Sequence, residues 1–431
     1  MMSQTEIALS GFALLVVLLL TRVPVGVAMA IAGVAGFALV VGIDPAISML
    51  SQVAFNSLTA YEFSIIPMFI LMGTFAARSD LSLEMFRASQ AWLGRFRGGM
   101  AYSALVASAG FAAVNGSSMA TAATMTRVAL PEMERNGYDS GLAAGVIAAG
   151  GTLGIMIPPS AVFALYGFIT QQDVADLFMA GILPGLLGLA LYASVIVLYT
   201  LVRPASLPEA EGSSWGQKLR ALRSVWAIAL LFALIIGGIY GGIFTVTEAA
   251  GIGAFGAWLI GVLRGRLGLR STLACLAEAL AMSAAIFTLV IGALTFGYFL
   301  TVTGTTTALI GWLANQPVGP YGVLTLILLG YLILGAVMDE LAITLLTLPI
   351  VFPVIVSLGF DPIWFGVIFV MTVTLGVNTP PIGMNVFVIN SMARHIGLGR
   401  IYRAVMPFVG VDLLRLLLLV LFPAISLWLV S

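Results

Sequence analysis

The sequence predicts an all-α polytopic membrane protein made of two inverted-topology repeats. Each repeat holds a re-entrant helical hairpin and a transmembrane helix broken at Pro-Pro. Three observations carry that prediction. The 431 residues are 61% hydrophobic and only 8% charged, whereas a soluble domain has about 25% charged residues. The long apolar runs show no strict apolar–polar alternation, which excludes a transmembrane β-barrel. One rare pattern, Thr-Leu-Gly-x-x-x-Pro-Pro, occurs twice, starting at Thr152 and again at Thr374.

Composition also bounds function. The 18 basic and 18 acidic residues balance, so there is no basic footprint for nucleic acid. A single Cys (Cys275) and a single His (His395) leave no transition-metal site of the Cys/His kind. No Walker A sequence, Gly-x-Ser-x-Gly elbow or paired intramembrane Asp is present, which argues against ATP-driven transport and against an enzyme. Residues 1–10 carry Glu6 and no basic residue, unlike a cleaved signal peptide.

Apolar runs predict full spans at 7–20, 23–41, 61–77, 177–202, 225–240, 244–263, 273–300 and 405–430. Arginine and lysine concentrate in four joints: Arg78 to Arg97, Arg203 to Arg223, Arg264 to Arg270, and Arg394 to Arg403. The positive-inside rule places these in the cytoplasm. The joints 42–60, 170–176, 301–321 and 357–362 have no Lys or Arg and are placed outside. The stretch 79–97 reads as an amphipathic helix on the inner membrane surface. The linker 203–223, with Pro204, Pro208 and Gly212, separates a first repeat (1–202) from a second (224–431).

The repeat register is 222 positions, from Thr152 to Thr374. It also pairs Pro131 with Pro353, Gly137 with Gly359 and Asp139 with Asp361, without a gap. The joint holding Asp139 carries Arg135, while the joint holding Asp361 has no basic residue, so equivalent joints are expected on opposite sides. That is the inverted plan of secondary transporters. The segment 99–130 starts and ends at cytoplasmic joints, is too short for two crossings, and has a turn at Asn115-Gly116-Ser117-Ser118. It predicts a re-entrant hairpin, with 322–352 as its counterpart from outside. The broken helices are expected at about 141–170 and 362–393. Proline removes a donor and clashes with the preceding turn. Backbone freed in this way at membrane depth must be buried or line a wet cavity. Two tips and two breaks are therefore expected to converge on one binding site.

The residues resemble the large membrane subunit of tripartite ATP-independent periplasmic (TRAP) transporters. The resemblance rests on Gly116-Ser117-Ser118-Met119-Ala120-Thr121-Ala122-Ala123, Pro131-Glu132-Met133, Pro158-Pro159-Ser160 and Ala180-Gly181-Ile182-Leu183-Pro184-Gly185. In the second half it rests on Thr247-Glu248-Ala249-Ala250, Gly335-Ala336-Val337-Met338-Asp339 and Thr379-Pro380-Pro381-Ile382-Gly383. It implies a bacterial inner-membrane permease importing a small organic acid with Na+ as coupling ion and no organic cofactor. It further implies an elevator mechanism and two partners: a periplasmic substrate-binding protein and a small four-helix membrane subunit, expected as a separate chain. The alternative is a stand-alone ion-coupled carboxylate carrier or ion exchanger of the same architecture.

Candidate sodium ligands are Asn115, Gly116, Ser117, Ser118, Gly335, Asp339 and Thr379, since hydroxyls, carboxylates and unwound carbonyls supply oxygen. Ser117 and Ser118 equally suit an N-cap. Candidate substrate-binding residues are Pro158, Pro159, Ser160, Pro380, Pro381, Gly383 and Arg127. The half-helices starting at Pro159 and Pro381 are expected to aim their N-termini at an anion. Arg127 also fits a side chain that snorkels to the interface. Glu340 is a weaker site candidate than Asp339. Thr152 and Thr374 are expected to bond back to the preceding turn, Asp412 and Arg415 to pair within their helix, Glu248 to cap a helix, and His395 to be solvated.

Overall fold

The computed structural model describes residues 3–203, 207–208, 213–314 and 318–430. Among them the regular structure is helical, without a strand. Five helices are each long and apolar enough to cross a membrane, and up to eight spans result if each sharply bent pair counts as one. The protein is a multi-pass membrane protein.

The sequence reading passed over several helices, three of them in the joints 42–60 and 301–321 and in the linker. The joint 42–60 contains helix Ile43–Thr59, which starts after Gly42 (φ 108°) and meets the Tyr61–Arg78 segment at a 58° bend. Its buried residues Ala46, Val53 and Ser57 share one face. Polar and apolar residues here sort by side, not by stretch, so a search for apolar runs misses the helix. Helix Thr305–Ala314 occupies the joint 301–321. The linker is not all loop either. Pro204 and Gly212 lie outside the described residues, but Ser214 and Gln217 form a capping box that starts helix Trp215–Ser224. The last span runs Leu398–Leu421 instead of 405–430. It ends just before Pro423, which has no amide to continue it.

The two halves place the same elements at the same positions of their sequences. Helix Ser140–Met156 matches Pro362–Asn378, residue for residue. The Asp139 carboxylate accepts from the Leu142 amide at 2.9 Å, and that of Asp361 from the Trp364 amide at 2.8 Å. Gly137 and Gly359 have φ of 78° and 80°, the left-handed turn that favours glycine. Both Pro-Pro bonds, Pro158-Pro159 and Pro380-Pro381, are cis. Ser117 and Asp339 occupy the N-caps of Ser118–Val128 and Glu340–Ser357. These two helices are the second arms of hairpins whose first arms are Gly99–Asn115 and Pro320–Gly335.

Contacts cross between halves in matched pairs. The arm Ser118–Val128 packs on Met384–Met392, and its counterpart Glu340–Ser357 packs on Ala161–Thr170. Val25–Val41 packs on Leu269–Val302, and Ile65–Arg78 on Val246–Leu263. Small residues bring the first arms close to the broken helices. A Cβ on Gly376 would lie 2.6 Å from Gly335 Cα, a contact no side chain accommodates. In the first half Gly154 meets Ala112 and Ala113 in the same way.

Thr152 and Thr374 bond back to Ala149 and to Val370 and Met371. Asp412 and Arg415 pair within their helix at 3.6 Å, almost fully buried. They belong to a larger cluster in which Tyr192 donates to Asp412 and lies 3.3 Å from the Thr152 hydroxyl. Glu248 closes a capping box with Thr245. His395 is 62% exposed but not free, since its ring bonds Glu134 at 2.8 Å. Burial pushes the Glu134 carboxyl up, and hydrogen bonds from His395 and Ser140 outweigh it, holding Glu134 below its ordinary range.

Candidate functional site

The tips of the two hairpins touch. The Ser118 hydroxyl donates to both carboxylate oxygens of Glu340, at 2.9 and 3.2 Å. These residues are 222 positions apart, the repeat register itself. Equivalent positions in two copies meet only where a rotation axis brings like to like; a translation would keep them apart. The contact therefore marks the pseudo-two-fold axis, and the site lies beside it.

A cavity of about 990 Å³ opens there. Its inner end is formed by Asn115, Gly116 and Ser117 from the first tip and Asp339, Glu340 and Leu341 from the second. One wall is the arm Ser118–Val128, through Ala120, Ala123, Thr124 and Arg127. The opposite wall comes from Ile65–Arg78 and Leu269–Val302, through Phe69, Gly73 and Ala77 and through Met282, Ala285 and Leu289. The mouth lies among arginine-rich joints. There Arg78 pairs with Glu278 at 3.0 Å and Arg266 with Asp80 at 3.2 Å. Arg127 lines the same passage, exposed and without an ion pair among the described residues.

Local structure sets the tip. Gly116 (φ 69°) ends the first arm. Ser117 then starts the second by accepting from the Ala120 amide at 3.3 Å. Asn115 packs against Gly73, where a Cβ would lie 2.6 Å from Asn115 Oδ1. The Asn115 side-chain nitrogen is buried without a partner among the described residues. The polar atoms at this end of the cavity include an amide, a hydroxyl and carboxylates, hard oxygen donors of the kind that suit Na+. Ala161, the first residue of helix Ala161–Thr170, also lines the cavity. This helix begins later than expected, at Ala161 and not Pro159, with Ser160 as its N-cap accepting from Phe163 at 3.4 Å. Its partly positive N-terminus faces the tip.

The sequence-predicted set divides. Asn115, Gly116, Ser117, Asp339 and Arg127 line the cavity, and Ser118 ties the tips together behind it. Pro158, Pro159 and Ser160 are buried outside the cavity lining. The second break is not part of the cavity either. Pro380 and Pro381 are exposed, Thr379 is half-buried and Gly383 is buried. Gly383 donates its amide to Ala336 at 3.2 Å, and Tyr402 donates to Pro381 (3.1 Å) and Ile382 carbonyls. Gly335 is packed against Gly376. The second half-helix starts at Met384, not Pro381, because Gly383 adopts φ 55°. The expected single convergence of two tips and two breaks is thus a convergence of two tips and one break, with the second break held under its own hairpin.

Sequence reasoning undervalued Glu340, although the repeat register pairs it with Ser118. It missed Asn385 below the second break, which donates to Asn378 Oδ1 at 3.2 Å, while Asn378 donates to the Ala148 carbonyl at 3.3 Å. An isolated Asn in an apolar run carries no signal until its neighbours are known.

A helical membrane body with two internal tips beside a cavity has the build of a secondary transporter. The chain belongs to the family described as tripartite ATP-independent periplasmic transporter, DctM component, which it matches over residues 12–425. It is 32% identical to the C4-dicarboxylate TRAP transporter large permease protein DctM of Vibrio cholerae, covering 97% of this chain and 96% of that one. It is 33% identical to the isethionate TRAP transporter permease protein DctMQ of Oleidesulfovibrio alaskensis, over 95% of this chain and 64% of that one. It is 30% identical to the ectoine TRAP transporter large permease protein TeaC of Halomonas elongata, over 96% of each. Among solved structures, the YdaH transporter of Alcanivorax borkumensis matches with a TM-score of 0.61 at 15% identity, covering 85% of this chain and 87% of that one; this likeness concerns the fold alone. Family membership makes the chain a permease and not an enzyme. It also implies a tripartite system with a substrate-binding protein and a small membrane subunit.

Proposed function

We propose that the chain is the membrane permease of a sodium-coupled importer for a small organic acid in the bacterial inner membrane. A periplasmic substrate-binding protein delivers the acid, and a small four-helix subunit completes the membrane part. The observation that carries this reading is the cavity at the junction of the two tips. It offers oxygen donors for a cation and a helix N-terminus for an anion at the same end. Cation and anion bound together form a neutral package, which lowers the cost of moving charge through the bilayer. The organic acids and related solutes named for the relatives, C4-dicarboxylate, isethionate and ectoine, set the size class. In this reading the hairpins and broken helices slide as one body against the wall formed by Ile65–Arg78 and Leu269–Val302. The cavity, with its mouth at the arginine-rich end, is the inward-facing position of that slide, releasing to the cytoplasm past Arg127.

The test is uptake by proteoliposomes holding the permease and its small subunit, with and without a sodium gradient and the binding protein. Uptake is expected only when both are supplied. Uptake indifferent to sodium would overturn the coupling, and uptake by this chain alone would identify a stand-alone carrier.

A further inference from the structure

Two amphipathic helices from different halves of the sequence, Leu81–Leu93 and Trp215–Ser224, pack together at the arginine-rich end of the molecule. Trp92 and Trp215 meet edge to face, with ring centres 6.3 Å apart. The Lys218 ammonium sits over both rings, 5.0 Å from Trp215 and 5.8 Å from Trp92. Lys218 is only 8% exposed, yet it makes no ion pair among the described residues. The one acid on these two helices, Glu84, is taken by Arg264. Glu209 and Glu211 fall outside the described residues.

Beside Lys218 runs an exposed apolar stripe, flanked at its far end by Arg264, 5.7 Å from the Trp226 ring centre. Trp215, Leu219, Leu222 and Trp226 are 73%, 59%, 54% and 50% exposed. Trp215, Leu219 and Leu222 recur at helical spacing and share one face of helix Trp215–Ser224, and Trp226 starts the next helix. At about 100° per residue, Lys218 lies on one flank of the stripe and Arg223 on the other. The helix then bends by 51° into the apolar helix Trp226–Tyr240. An apolar face between basic flanks, with indoles at its ends, is what a helix lying in a lipid headgroup layer presents.

We propose that Lys218, Arg223 and the Trp215–Trp226 stripe form a binding site for anionic phospholipid. Headgroup phosphates meet the basic side chain on each flank, and the acyl chains lie along the stripe between them. Charge complementarity selects this occupant: the flanks are basic, and the acids Glu84, Asp80 and Glu278 at this end are each paired with an arginine.

The test uses the full chain in mixed micelles, with phosphatidylglycerol or phosphatidylcholine carrying brominated acyl chains that quench indole fluorescence. The quenching lost in Trp215→Phe measures contact at the site. Phosphatidylglycerol is expected to quench this component at lower lipid concentration than phosphatidylcholine, and the preference should fall about fivefold for each charge removed in Arg223→Gln and Lys218→Gln. Arg220→Gln, on another face of the helix, should leave it unchanged. Equal quenching by the two lipids would overturn the proposal, as would an undiminished preference in Arg223→Gln, which removes only an exposed side chain. Competition by inorganic phosphate beyond that of sodium chloride at equal ionic strength would show a free-anion site instead. Loss of quenching when the small subunit is added would show that protein, not lipid, covers the stripe.

Discussion

Ser117 faces the cavity and caps its helix through a long bond to the Ala120 amide, whereas Ser118 is buried and holds the Glu340 carboxylate. Neighbours in sequence thus serve different partners. Ser117→Ala should cost about 0.5–2 kcal/mol through the lost cap and should weaken the sodium dependence of uptake. Ser118→Ala strips a buried carboxylate of its hydroxyl donor and should destabilise the protein by about 1–3 kcal/mol, seen as a lower melting temperature in detergent. If Ser117→Ala kept the parent's sodium response, its hydroxyl would be a cap and nothing more. The sequence marked both serines through the turn at Asn115 and Gly116, but it could not divide their labour. Which of two adjacent hydroxyls turns inward depends on the helix phase fixed by Gly116, and that phase is set by packing.

The breaks at Pro158 and Pro380 were legible because two successive prolines leave the backbone no regular alternative. Their surroundings were not legible. The first break delivers the N-terminus of Ala161–Thr170 to the cavity, while the second is pinned by Gly383 to Ala336 and by Tyr402. Nothing in the repeat pattern distinguishes them; Tyr402 comes from a helix beyond the repeat motif. Replacing Pro380 and Pro381 with Ala should extend helix Pro362–Asn378 and pull the loop from Tyr402. Such a variant is expected to insert and remain monodisperse but to lose sodium-driven uptake. Uptake at the parental rate would show that the second break is a packing detail. The helix Ile43–Thr59 was missed for the opposite reason, since its apolar residues are too dispersed to form a run.

At the scale of the molecule, matched contacts between halves and the Ser118–Glu340 junction require a rotation axis, and the arginine distribution requires that axis to lie in the membrane plane. Arg135 and Ser357 are equivalent and exposed positions. With Cys275 replaced by Ser, single cysteines at these two places should react with membrane-impermeant reagents from opposite sides of intact cells, Ser357→Cys from outside and Arg135→Cys only after permeabilisation. Labelling of both from one side would refute the inverted arrangement. The fold class was legible from hydropathy and the repeat, because both are properties of the whole chain. The cavity was not, because its outer wall comes from helices that carry no motif.

A position on a symmetry axis faces its own copy. Two identical halves would set hydroxyl against hydroxyl there, or carboxylate against carboxylate. Two hydroxyls could share one hydrogen bond and two carboxylates would repel; the unlike pair instead sets a hydroxyl donor against a carboxylate that accepts with both oxygens. The join between the tips is therefore a product of their divergence, and it gives the molecule an acidic side and a neutral side at its centre. Handedness of this kind can be exchanged. Ser118→Glu alone places two carboxylates in contact and should lower the melting temperature sharply. Adding Glu340→Ser restores one donor and one acceptor with their origins reversed, and should recover much of the loss. A double variant no more stable than the single one would mean that the surroundings of each tip, and not the pairing, decide which half carries the acid.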